Sequence, residues 1–123
     1  LLLRGTHRHE DHAGVGAALT EEMMRTEMQQ IKEMGANFIR LGHYQQSGII
    51  LRLCDELGLL VWEEIPWCRG GLGGESYKNQ ARRMLTNMIE QHRFLCQLLP
   101  YLRLSCHPKS FPLIILLCVF SDI

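Results

Sequence analysis

Over residues 1 to 93, short apolar, β-rich runs alternate with longer stretches of helical period, and that alternation leaves few folds open. Repeated strand-then-helix units build a parallel sheet, because a crossover must carry the chain back before each new strand begins. The runs are Leu1-Leu2-Leu3, Phe38-Ile39-Arg40-Leu41 and Leu59-Leu60-Val61-Trp62, so three βα units are expected.

The punctuation between the runs agrees. Thr20 is a good N-cap, with Glu21 and Glu22 favourable in the first turn of a helix whose apolar stripe is Met24, Met28, Ile31 and Met34. Gly35 is placed to end that helix in a left-handed residue. Ser47 caps a second helix with Ile49, Ile50, Leu53 and Leu57 inward, and Gly58 ends it. After the glycine-rich loop 70 to 74, a third helix carries Ala81, Met84, Leu85, Met88 and Ile89 inward, with Arg82, Arg83 and Glu90 outward.

The chain of 123 residues has the size of one ordinary domain. Thirteen Lys and Arg balance thirteen Asp and Glu, so charge draws it toward neither nucleic acid nor an anionic membrane. The opening leucines are too short for a signal segment and read as a strand from the middle of a longer protein. The five cysteines include no C-x-x-C pair, which argues against a structural zinc site or a disulfide framework and suits reduced thiols in a cytoplasm.

The pattern breaks at residue 94. Residues 94 to 123 hold three charged side chains against 23 in the preceding 93, together with three of the four prolines and three of the five cysteines. Phe111 to Phe120 is apolar but half the roughly 20 residues a membrane helix needs, so no span is expected. The expectation is an irregular apolar tail arising from a reading-frame change or misjoined end near Phe94, which sequencing the source DNA in all frames would test.

In a parallel βα barrel the chemistry gathers where strands end at their carboxyl side. Each run here ends in reactive groups: His7-Arg8-His9-Glu10-Asp11-His12, then Arg40-Leu41-Gly42-His43-Tyr44, then Glu63-Glu64-Ile65-Pro66-Trp67. The opposite ends carry only the glycine turns at Gly35 and Gly58. Any one polar strand end is explained by its exit into a loop; three in succession point to a site. Histidine, arginine, glutamate and tryptophan suit a carbohydrate pocket, with donors for hydroxyls and an indole face for a sugar ring. A metal-dependent hydrolase built on His7-x-His9 is the alternative. Solvated loop histidines are the simpler account of His7 and His12.

Residues 4 to 93 resemble the catalytic barrel of glycoside hydrolase family 2, the β-galactosidase and β-glucuronidase family. Arg4-Gly5 with Arg8-His9-Glu10-Asp11-His12 is similar to its first-strand segment, and Gly35-Ala36-Asn37-Phe38-Ile39-Arg40 with His43-Tyr44 to its second. Cys54-Asp55-Glu56-Leu57-Gly58-Leu59-Leu60-Val61-Trp62-Glu63-Glu64 is similar to its third. The resemblance implies an α/β fold, a partial (β/α)8 TIM barrel comprising the first three βα units, with flanking β-sandwich domains elsewhere in the full-length protein. It implies retaining hydrolysis of a β-galactoside or β-glucuronide, so a carbohydrate is the expected partner.

Carried over by that resemblance, Arg40 bonds the nucleophilic carboxylate, with a structural ion pair as the alternative. His43 and His9 contact the sugar, with burial in the core as the alternative. Glu10 and Glu64 orient Arg40 or the histidines, and Trp67 is a sugar platform or is buried under the next loop. Gln45 departs from the proline usual after the family's His-Tyr pair, so the loop into the second helix is expected to differ in shape. Trp67-Cys68-Arg69-Gly70 lacks the Glu-x-His of the family's magnesium-using members, so neither a magnesium site nor any other cofactor is expected. Retaining hydrolysis needs two carboxylates about 5 Å apart. The family's acid/base lies in an Asn-Glu pair, and this chain has no such dipeptide. Both catalytic glutamates are therefore expected to be missing, leaving an inert chain or a non-catalytic sugar-binding remnant.

Overall fold

A computed structural model describes residues 2–66 and 74–92. Within them the order is β1 (Gly5–Arg8), α1 (Glu21–Glu33), β2 (Phe38–Leu41), α2 (Gly48–Leu57), β3 (Leu60–Glu63) and α3 (Glu75–His92). The three strands form one parallel sheet in the order β1-β2-β3, with Arg8, Leu41 and Glu63 in one row and His7, Arg40 and Trp62 in the next. The expected βα repetition is present in all three units.

Local chemistry sets the helix ends. Thr20 Oγ1 accepts from Met23 N at 3.3 Å, and Ser47 Oγ accepts from Ile49 N at 3.2 Å, each satisfying a donor that the helix itself leaves free. Gly58 closes α2 at φ 64°, a left-handed conformation that glycine adopts without a Cβ clash. Gly5 answers a different need. A Cβ there would lie 2.8 Å from the Phe38 ring, so the close approach of β1 to β2 requires that residue.

The core forms where α1 and α2 cover one face of the sheet. Met24 and Met28 of α1 and Ile50, Leu51, Leu53 and Cys54 of α2 pack on Ile39 and Leu41 of β2. A second cluster seats α3 through Ala81 and Met88 against Ile65. Adjacent strand residues face opposite ways, so Thr6, Arg8, Ile39, Leu41, Val61 and Glu63 share the covered face. His7, Phe38, Arg40, Leu60 and Trp62 share the other.

Several expectations are corrected. β1 starts at Gly5 rather than at the leucines, and Leu2 and Leu3 are exposed. The reason is pairing: Arg4 N donates to Asn37 Oδ1 at 2.7 Å and Asn37 N donates to Arg4 O at 3.0 Å, so β2 recruits the polar segment beyond the apolar run. β3 is shifted one residue, to Leu60–Glu63. Met34 follows the last turn of α1 and is exposed, as is Ile89 on α3, whereas Leu51 and Cys54 are buried beyond the stripe expected for α2. The expectations for Trp67 and for the tail 94 to 123 fall outside the described residues. None of the described helices is long and apolar enough to cross a membrane.

Candidate functional site

The row His7, Arg40 and Trp62 lies on the face that α1 and α2 leave open, near the carboxyl ends of the strands. Arg40 sits on β2 and Glu64 immediately follows β3, and strand pairing brings them together: Arg40 Nε donates to Glu64 Oε1 at 2.6 Å. His43, three residues beyond Arg40, completes the cluster. Its Nδ1 is 2.9 Å from Arg40 Nη2 and 3.1 Å from Glu64 Oε2. One nitrogen cannot serve both neighbours in one protonation state, because it accepts from the guanidinium only when bare and donates to the carboxylate only when protonated. His43 therefore chooses between Arg40 and Glu64 according to where its proton lies.

Space and exposure suit ligand contact. A Cβ at Gly42 would come within 3.3 Å of the Arg40 guanidinium carbon, so glycine leaves that group room. Arg40 keeps about a third of its side chain exposed and His43 about half, while Glu64 is mostly covered. This mostly covered acid anchors Arg40, and His43 when its proton lies on Nδ1, with the ion pair compensating for the acid's burial. The ring of His9 stands 5.2 Å from that of His43 and 5.3 Å from that of His7, both edge-on, so three imidazoles line the mouth.

Glu10 is placed differently from expectation. Among the described residues it forms no hydrogen bond or ion pair with Arg40 or a histidine; its two carboxylate oxygens accept from Ser47 N at 3.0 and 3.2 Å, at the positive N-terminal end of α2. Glu10 N in turn donates to the Tyr44 hydroxyl at 3.0 Å, so this residue joins the β1 and β2 loops. Among the described residues no group of three or more His, Cys, Asp or Glu is arranged to hold a metal, so His7 and His9 gain no third ligand there.

Two supporting networks were not anticipated. Buried Arg8 donates from Nε and Nη2 to Glu27 Oε2 at 3.0 and 2.8 Å and from Nη1 to Gln46 Oε1 at 2.7 Å, tying β1 to α1 and to the β2 loop. Buried Glu63 accepts from His92 Nδ1 at 2.6 Å. Alternation alone separates the neighbours Glu63 and Glu64 onto opposite faces, a signal readable in advance; the choice of His92 as partner, 29 residues away, is not. Cys54 is no nucleophile: burial, then the nearby Asp55 and Glu63 charges, push its thiol up to about 12.

The family profile for the TIM barrel domain of glycosyl hydrolases family 2 matches residues 1–95. A putative beta-glucuronidase of Formosa agariphila is 59% identical over 92 residues, which is 75% of this chain and 11% of that protein. The crystal structure of Parabacteroides merdae beta-glucuronidase superposes with a TM-score of 0.72 at 80% identity, covering 75% of this chain and 12% of that one. Bacteroides uniformis beta-glucuronidase 2, solved with cyclophellitol-6-carboxylate aziridine covalently bound, superposes with a TM-score of 0.67 at 48% identity, covering 73% and 11%. The chain thus spans about a tenth of the length of these relatives.

Proposed function

This chain belongs to glycosyl hydrolases family 2, within its TIM barrel domain, and on that premise we propose that it forms the substrate-positioning side of a retaining β-glycosidase acting on a β-glucuronide. The observation that carries the reading is the Arg40–Glu64–His43 cluster on the open face at the strand ends. Its guanidinium edge supplies donors for the carboxylate nucleophile and for sugar hydroxyls, and its imidazole edge a nitrogen to bond a further hydroxyl, while Glu64 holds Arg40 in place before substrate arrives. His9, beside His43, extends the same wall. Preference for a glucuronide over a galactoside is supported by the names of two relatives at 59% and 80% identity, a putative beta-glucuronidase and a beta-glucuronidase.

In this reading the remaining machinery comes from other segments of the barrel. Retention needs one carboxylic acid to protonate the leaving oxygen and one carboxylate to form the glycosyl intermediate, about 5 Å apart. Glu64 is occupied by Arg40 and His43, and Glu10 by the N-terminus of α2, so neither is offered to that pair. The role of this chain is to orient the sugar and to keep the nucleophile ionised through Arg40.

The test is a graft of residues 2 to 92 into the corresponding segment of the Parabacteroides merdae enzyme. The hybrid is expected to hydrolyse 4-nitrophenyl β-glucuronide faster than the galactoside, and Arg40→Ala to lower kcat/KM by about a hundredfold or more, the usual cost of deleting a preorganised donor. A folded hybrid that prefers the galactoside, or one indifferent to Arg40→Ala, would overturn the reading.

A further inference from the structure

Four consecutive residues after His43 all make hydrogen bonds that tie this loop to its neighbours. The Tyr44 hydroxyl accepts from Glu10 N at 3.0 Å. Gln46 exchanges two hydrogen bonds with Arg8, accepting at 2.7 Å and donating to its carbonyl at 2.8 Å, and Ser47 caps α2. Gln45 turns instead toward α3. Its Nε2 donates to Gln91 Oε1 at 2.9 Å and meets His92 Nε2 at 3.0 Å, and His92 Nδ1 donates to Glu63 Oε2 at 2.6 Å. With the amide nitrogen of Gln45 toward the ring, these bonds agree when His92 carries a proton on Nδ1, facing Glu63, and turns its Nε2 lone pair to that amide.

The path returns to its origin. Glu63 is bonded through the chain to Glu64, and Glu64 holds Arg40 and His43. The β2 loop and the end of β3 are therefore joined twice, by Glu64 on the open face and by Glu63, His92 and Gln45 on the covered one. We infer that Gln45 is a positioning residue, which acts through His92 and Glu63 to fix the loop that presents His43 to Arg40 and Glu64. The inference rests on the proposed sugar reading only for the consequence in binding. Gln45 itself is exposed, so an ordinary surface substitution there would leave the site unchanged. A proline at this position has no side-chain donor and could not make the strap.

Histidine-labelled 123-residue chain, read by long-range proton–nitrogen NMR, tests this. His92 is expected in the Nδ1–H tautomer. Gln45→Ala and, one methylene too short, Gln45→Asn are expected to move the His43 ring signals and to weaken binding of D-glucuronate about fivefold, the worth of one net hydrogen bond. Amide exchange protection in α1 and α2 should be retained. His92→Asn cuts the path one link further on and should move His43 in the same direction. An Nε2–H tautomer at His92, or His43 signals unmoved by Gln45→Ala, would overturn the inference. If wild-type chain binds no glucuronate while His43 still responds to Gln45→Ala, the sugar reading fails and the positioning role stands.

Discussion

Asp55 is the residue whose environment works most plainly against it. Its Oδ2 is buried on α2 without a hydrogen-bond partner, and burial pushes its carboxyl up from 3.8 to about 6. A carboxyl raised in the folded state contributes stability that is fully present below its unfolded value of 3.8 and is lost as pH rises through about 6. Asp55→Asn is therefore expected to stabilise the chain at pH 7.5 by on the order of 1 kcal/mol, after discounting for the solvent that reaches this half-buried group. The gain should vanish near pH 4. Urea midpoints at the two pH values check it, and an equal gain at both would contradict the cause given. At this scale the sequence marked Arg40, His43 and Glu64 by their places at strand ends, and the fold brings these three together. It could not show that Glu10 bonds Ser47, because a strand end specifies a face and not a partner.

Among the elements, α1 shows what helical period does and does not decide. Met28 and Met34 belong to one apolar stripe in the sequence, yet Met28 is fully buried and Met34 is 70% exposed, just past the helix end. Truncating Met28 to Ala should cost about 2–5 kcal/mol through the cavity left behind, whereas Met34→Ala should change stability by less than about 0.5 kcal/mol. Matched denaturation curves measure both, and similar losses would mean that the stripe rather than the packing governs. Caps were legible because they act within three residues: Thr20, Ser47 and Gly58 all serve as expected. The β1 boundary was not, since the pairing of Arg4 with Asn37 spans 33 residues and overrides the apolar preference of the leucines.

For the whole molecule, the proposed division of labour predicts that the 123-residue chain by itself hydrolyses neither 4-nitrophenyl β-glucuronide nor the galactoside. Turnover abolished by Arg40→Ala would contradict that. Among the described residues the outer edges of β1 and β3 have no strand partner, and unpaired edges recruit other chains. Sedimentation should accordingly show association that grows with concentration; a monomer at every concentration would count against it. The three βα units, the caps and the end of the sheet at which reactive groups gather could all be read from the chain before folding, because periodicity, capping and alternation are local properties. It took the packed fold to settle that Arg8 is neutralised by Glu27, that Glu63 takes His92 as its partner, and that Gln45 reaches His92. Those choices depend on which distant segments pack together, and a buried charge takes whichever partner that packing brings within reach.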